Sequence, residues 1–176
     1  LIGAITSVVD YEGLDIAIAA MKEIPDATLI IVGDGVARPG LEDLADELDL
    51  NDRVVFTGKQ PATDIHLWYS ALDVFVVPRR DVEVCRKVTP LKPLQAMACG
   101  VPVIGTDLPA LKEITGGLMV EVEPDNPSAL AKSVDLVRQV ELIVNPRELE
   151  EWAKKRSWER NAHILEGLYL ELLRGR

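Results

Sequence analysis

Histidine, cysteine and positive charge are all scarce in this chain, and each shortage removes a class of function. There are two cysteines and two histidines in 176 residues. Cys85 and Cys99 lack the paired spacing of a metal or redox site and read as free thiols of a reducing compartment rather than as a disulfide. His66 and His163 belong to no motif and read as surface or helix-packing residues. Ser7 and Cys85 have no recognisable general base as partner, which argues against covalent catalysis. Lysine and arginine number 19 against 29 acidic residues, a net charge of −10. Such a surface is a poor general binder of nucleic acid or of an anionic membrane, and it leaves room for a local basic site that takes a small anion. No apolar run approaches the ~20 residues of a membrane span. No signal-peptide pattern is present. The opening "LIGAIT" reads as a strand with nothing before it, so the chain is expected to be a fragment of a longer polypeptide.

Hydrophobic residues make up 48% of the chain, enough for one globular domain with a real core. Short apolar runs at residues 1–5, 28–32, 54–57, 74–77, 101–105 and 118–122 are apolar on both faces, and most are rich in Val or Ile. They read as strands of a sheet covered on both sides. Between them, Leu14, Ala17, Ile18, Met21 and Ile24 recur at helical spacing, as do Leu41, Leu44, Ala45 and Leu48, and Ile65, Trp68, Tyr69 and Leu72. The alternation predicts an α/β fold with a parallel, doubly wound sheet. After Val122 three helices are expected. One starts at Asn126-Pro127 and reaches about Val140, one starts at Asn145-Pro146, and one runs from Ser157-Trp158 to near Leu173. Asn126 and Asn145 are read as N-caps, each with proline at the first helical position. Trp68, Trp152, Trp158 and Met97 read as packing residues, and the alternating charges of the tail read as a solvated helical face.

Ligands of open parallel sheets bind beyond the carboxyl ends of the strands, which directs attention to Thr6-Ser7, Gly33-Asp34-Gly35, Gly58-Lys59, Pro78-Arg79-Arg80 and Thr106-Asp107. Gly33-Asp34-Gly35 is either a plain turn or a close backbone approach to a ligand. It is not a G-x-G-x-x-G fingerprint, because position 38 is Arg. Lys59, Arg79, Arg80, Arg86, Lys87 and Lys92 gather positive charge near two strand ends and one loop. They are either ordinary solvated charge or an anion site built on "TPLKPLQAMA", whose prolines fix a loop ahead of a helix N-terminus that favours phosphate. In the second case Thr89, Leu91 and Lys92 supply the donors that the prolines lack.

At these residues the chain resembles a known family. "YEGLDIAIAAM", "ATLIIVGDG", "LEDLADELDLNDRVVFTG", "ALDVFVVP", "TPLKPLQAMACGVPVIGTDLPALKEI" and "RSWERNAHILEGLYLELL" follow, in order, the landmarks of the C-terminal, nucleotide-sugar-binding domain of family 4, group 1 retaining glycosyltransferases. The resemblance implies the C-terminal half of a GT-B fold, a Rossmann-like parallel sheet with helices on both faces. It implies one donor-binding domain over residues 1–176, with the C-terminal helices from about 127 included and the N-terminal acceptor domain absent. In that family two glutamates eight positions apart flank a glycine-containing loop whose N–H groups bind the donor diphosphate. The second glutamate, which contacts the ribose, falls on Gln95, and the first falls on or near Lys87. The usual Arg and Lys of the first strand–helix turn are displaced: Ala4 follows Gly3, and Glu12 precedes Gly13.

The implied site residues are therefore Arg79, Thr89, Leu91 and Lys92 for the diphosphate and Gln95 for the ribose. Gly33, Gly35, Gly58 and Lys59 are implied as base or loop contacts, with no metal ligand and no catalytic residue assigned. The implied activity is metal-independent, retaining transfer from a nucleotide diphosphate sugar, without a cofactor, to a glycan, lipid-linked or other small acceptor held by the missing domain. The isolated chain is expected to be inactive. The full-length enzyme is expected in the cytoplasm, free or peripheral on the inner face of the membrane, with no nucleic-acid partner. Two alternatives stand beside it: a catalytically degenerate assembly or binding module, supported by Gln95 and Lys87, and a sugar-nucleotide 2-epimerase with the same nucleotide subsite.

Overall fold

Six short runs of Val, Ile and Leu become the six strands of one sheet in the computed structural model, which describes residues 1–139 and 145–174. The elements are β1 (Ile2–Ile5), α1 (Leu14–Ala20), β2 (Leu29–Val32), α2 (Arg38–Glu47), β3 (Val54–Gly58), α3 (Ile65–Ser70), β4 (Val74–Val77), α4 (Glu83–Lys87), α5 (Lys92–Ala98), β5 (Val103–Thr106), α6 (Pro109–Thr115), β6 (Val120–Val122), α7 (Pro127–Gln139), α8 (Pro146–Lys154) and α9 (Trp158–Arg174). Single 3-10 turns at Asp10–Glu12 and Met21–Glu23 flank α1. Every strand pair is parallel, in the order β3-β2-β1-β4-β5-β6. The chain winds outward from β1 to β3, returns to the middle at β4, and winds outward the other way. This is the Rossmann-type order, with its reversal point between β1 and β4.

Strand side chains alternate between two cores, which is why the runs are apolar on both faces. Val74 and Val76 of β4 join Ile2, Leu29 and Ile31 in a core covered by α1, α2 and α7. Phe75 and Val77 join Val32, Tyr69, Met97 and Leu111 in a core on the opposite face, covered by α3, α5, α6 and α8. Within the second core Phe75 meets Tyr69 edge to face at 5.3 Å. Met97 is fully buried, in keeping with its helical spacing.

Two strands start two residues later than their apolar runs suggest. Pro102 has no N–H to give; its carbonyl accepts from Phe75 N at 2.9 Å, and β5 pairs from Val103. Leu118 N donates to Thr115 O at 3.2 Å, closing a turn after α6, so β6 begins at Val120. Helices α4 and α6 were not anticipated; α4 has 5 residues and buries only Cys85, whereas α6 has 7 and buries Ala110, Leu111 and Ile114 at a helical spacing that was passed over. The two asparagine caps form as expected: Asn126 Oδ1 accepts from Ala129 N at 2.9 Å and Asn145 Oδ1 from Arg147 N at 3.1 Å. The expected end of α7 at Val140 lies outside the described residues, as do the last two positions of the 1–176 range. Trp152 donates from Nε1 to Ile114 O at 2.8 Å and so ties α8 to α6.

The charges of the tail are solvent-exposed, as expected, but apolar residues of the same helix are exposed with them. No residue of α9 is buried, yet it exposes Ile164, Leu165, Leu168, Tyr169, Leu172 and Leu173. Trp158, read as a packing residue, is 83% exposed, because α9 buries nothing against the sheet domain. Among the described residues no helix is long and apolar enough to cross a membrane.

Phe75 links the core to the functional end of the molecule, since it packs on Tyr69. Phe75→Ala should cost about 3–5 kcal/mol of stability, read as a lower denaturant midpoint with an unchanged slope.

Candidate functional site

The carboxyl ends of β1, β2 and β3 open into a cleft of about 500 Å³ whose wall includes Thr6, Ser7, Asp34, Lys59, Tyr69, Lys92 and Gln95. Glycine shapes its floor. Gly33 has φ 139°, and a Cβ placed there would lie 1.8 Å from Thr6 O, so no other residue lets β2 leave the sheet so close to the β1 exit. The chains stay together beyond the strands, with Val8 N donating to Asp34 O at 3.1 Å.

The reversal point between β1 and β4 holds a charged cluster drawn from four separate segments. Gly13 follows the 3-10 turn with φ 68°, and a Cβ there would sit 2.0 Å from Pro78 O. That contact seats the turn on the exit of β4 and puts Glu12 beside Arg79. Glu12 is 4% exposed, and its Oε1 accepts from Arg79 Nη2 at 2.7 Å and from Lys92 Nζ at 3.4 Å. Lys92 Nζ also donates to Thr6 Oγ1. Arg79 Nη1 donates to Val88 O at 3.1 Å and so holds the loop ahead of α5, while the buried Nε finds no partner among the described residues. Arg80 faces the other way, donating to Asp15 at 2.6 Å, Asp125 at 2.7 Å and the Asp10 carbonyl at 3.2 Å.

Burial pushes the Glu12 carboxyl up. The hydrogen bond from Arg79, the charges of Lys92 and Arg79 and a hydrogen bond from Thr6 outweigh burial and hold it below its ordinary value. Burial works on Lys92 in the opposite sense to Glu12: desolvation lowers its pKa, Glu12 raises it, Arg79 lowers it again, and the balance lies below the ordinary value. Burial drives the Tyr69 hydroxyl well above its ordinary range, so it stays protonated and donates to Gln95 Oε1 at 3.1 Å. The Gln95 carboxamide keeps its NH₂ and the second lone pair of Oε1 to offer.

Of the residues named from sequence, the structure brings Lys92, Gln95, Gly33 and Lys59 together on the cleft. Arg79, expected beside Lys92 at the anion, does not line it; the residue is 6% exposed and its guanidinium is engaged by Glu12 and Val88. Thr89 is half-buried with Oγ1 3.5 Å from Glu113, and Leu91 lines a second, more apolar cleft of about 450 Å³ between α5, α8 and the start of α9. Gly35 packs under the cleft against Val8 O, and Gly58 receives Gly33 N at 3.0 Å through its carbonyl. Lys87 and Arg86 sit on exposed α4 and pair with Glu83 and Asp81. Cys85 and Cys99 are both free, and His66 and His163 are exposed. Among the described residues no three His, Cys, Asp or Glu side chains stand close enough to hold a metal ion. Sequence reasoning pointed to Thr6 as a strand-end position without giving it a role, and it missed Glu12 and Tyr69 as site residues. The one available signal for Glu12 was the glycine that follows it just ahead of an apolar helix.

A fold of this order, with its cleft at the strand ends, suits many nucleotide-handling proteins, and comparison narrows it. The family model described as "Glycosyl transferases group 1" matches residues 1–140. The chain belongs to the group 1 glycosyltransferases. It is 37% identical over 110 residues to the lipopolysaccharide core biosynthesis mannosyltransferase LpsB of Rhizobium meliloti, covering 59% of this chain and 29% of that protein. Among solved structures it superposes on the sucrose-phosphate synthase of Thermosynechococcus elongatus with a TM-score of 0.86 at 26% identity, over 99% of this chain and 46% of that one. It superposes on Anabaena HepE, solved in complex with UDP, with a TM-score of 0.81 at 22% identity, over 96% of this chain and 48% of that one. This glycosyltransferase chain thus has the Rossmann-like half of the GT-B fold and spans less than half the length of these relatives.

The buried pair gives a stability prediction with a defined sign. Arg79→Ala leaves the buried Glu12 carboxylate with only its longer contact to Lys92 and should cost about 3–5 kcal/mol at pH 7. Because the folded Glu12 pKa is lowered, its stabilisation is present above the ordinary value of 4.5 and is lost as pH falls through the lower folded value. Denaturation midpoints of wild type and Arg79→Ala should therefore converge as pH falls below the carboxylate range.

Proposed function

We propose that this chain is the donor-binding half of a glycosyltransferase that takes a nucleoside diphosphate sugar and transfers the sugar, with retention of configuration and without a metal ion or cofactor, to an acceptor. The acceptor, a glycan, a lipid-linked sugar or another small molecule, is held by a further domain, and the enzyme works in the cytoplasm, free or peripheral on the membrane's inner face. The observation that carries this is the partly buried ammonium of Lys92 on a cleft at the strand ends of a group 1 glycosyltransferase. UDP bound to the similarly folded HepE supports a nucleoside diphosphate as the occupant.

In this scheme the diphosphate lies against Lys92 with Thr6 and Ser7 beside it, and the base extends towards Asp34 and Lys59. The ribose approaches Gln95. As the sugar–phosphate bond breaks, negative charge gathers on the leaving diphosphate, and a positioned cation in a partly dehydrated cleft stabilises it without reorganising. The loop that Arg79 holds through Val88 delivers Lys92 to this seat.

Calorimetric titration with UDP, GDP, ADP and dTDP tests the assignment, and absence of binding to all four overturns it. Lys92→Ala should weaken the tightest of them by about 1.5–3 kcal/mol, on the order of 10- to 150-fold; unchanged affinity removes Lys92 from the site.

Gln95→Glu should let one carboxylate oxygen keep the Tyr69 bond and turn the other, charged, to the ribose. Binding of the ribonucleoside diphosphate should tighten by about 1 kcal/mol, roughly five-fold, with a smaller change for the 2′-deoxy analogue. An unaltered ribo-to-deoxy preference means that Gln95 does not read the ribose.

A further inference from the structure

Resting on the donor-site assignment above, we propose that Glu12 is the positioning residue of the phosphate site: its buried carboxylate, shared between Arg79 and Lys92, fixes the cleft's cation where the diphosphate must meet it. The geometry is specific. A single oxygen, Glu12 Oε1, serves both cations, at 2.7 Å from Arg79 Nη2 and 3.4 Å from Lys92 Nζ. The side chain is 4% exposed, so its charge is felt through protein rather than water. Its place is dictated by the chain, because Gly13 in the left-handed region lies against Pro78 O where no other residue fits.

Glu12 reaches the cation by two routes. Directly, it shares with Thr6 the job of orienting Nζ. Indirectly, it anchors the Arg79 guanidinium, which donates to Val88 O and so holds the loop that delivers Lys92 to the first position of α5. Arg79–Glu12 is the closed, fully buried pair, whereas Lys92 has 29% of its side chain exposed and the longer contact. Lys92 is thus the member free to engage a phosphate while Arg79 keeps the carboxylate neutralised.

The arrangement also keeps Lys92 charged. The charged or titratable groups that share its surroundings are Glu12 on the 3-10 turn, Arg79 beyond β4, Asp34 beyond β2, Lys59 beyond β3 and Tyr69 on α3. Of these, Glu12 is the acid in contact with it. Burial and Arg79 both press Lys92 towards losing its proton, and Glu12 opposes them. Without that carboxylate the ammonium loses both its seat and the charge that keeps it protonated.

The test is the pH dependence of nucleoside diphosphate binding to Glu12→Gln, using whichever of UDP, GDP, ADP and dTDP the wild type binds best. Wild type should hold a level affinity between pH 7 and 9. Glu12→Gln should bind at least ten-fold more weakly at pH 7 and weaken further towards pH 9. Adding Lys92→Arg, whose guanidinium does not titrate in this range, should remove the further fall. If Glu12→Gln does not fold, Glu12→Gln with Arg79→Met leaves no buried unpaired charge and should still weaken towards pH 9, by less than Glu12→Gln alone, because burial acts on Lys92 but the Arg79 charge is gone. Affinity equal to or tighter than wild type, or a level pH profile in the variant, overturns the proposal; a merely structural Glu12 would lower stability and leave the profile level. Absence of binding by the wild type instead overturns the donor-site assignment on which the proposal rests.

Discussion

The functional end of this molecule depends on one buried ion pair, Glu12 with Arg79, at the point where the strand order reverses. A carboxylate and a guanidinium taken out of water are costly unless each is well partnered. Here Glu12 takes a second cation, Lys92, and Arg79 takes the Val88 carbonyl. The pair therefore joins the turn after β1, the exit of β4 and the loop before α5. Arg80, next in sequence, fastens the same region outward through Asp15 and Asp125. Adjacent arginines serve opposite sides of one chain crossing.

The fold makes that crossing possible through its alternating strands. Each of the central strands feeds two cores, so the sheet is held on both faces and its carboxyl edge is left to carry chemistry. Tyr69 shows the coupling: its ring packs on Phe75 in the core, and its hydroxyl bonds Gln95 at the cleft. Gly13 and Gly33 are the backbone counterpart, each passing within contact of a neighbouring strand's carbonyl at the rim.

Much of this was legible in the sequence. The six Val- and Ile-rich runs are the six strands, and the two asparagines before proline are the caps. Lys92 was singled out from the loop ahead of α5 and Gln95 from the family resemblance, and both line the cleft. What escaped was of two kinds. Helix α4 is little more than one turn and buries only Cys85, so it shows no period, while the helical spacing of Ala110, Leu111 and Ile114 in α6 was passed over between a strand and a turn. Glu12 escaped because a lone glutamate in an acidic chain looks solvated; its partner Arg79 lies 67 positions away and is brought to it only by the return from β3 to β4. For the same reason Arg79 was assigned to the anion when its guanidinium is already bound by a carboxylate of the protein. The exposed apolar residues of α9 were hidden by the charges alternating among them.

A structure of this chain with its tightest-binding nucleoside diphosphate is the most direct test of the account. The account predicts the diphosphate in the cleft beyond β1 to β3, within hydrogen-bond distance of Lys92 Nζ, with Glu12 still on Arg79. A diphosphate seated elsewhere, such as the apolar cleft beside Trp158, or bound to Arg79 with Glu12 displaced, would contradict it.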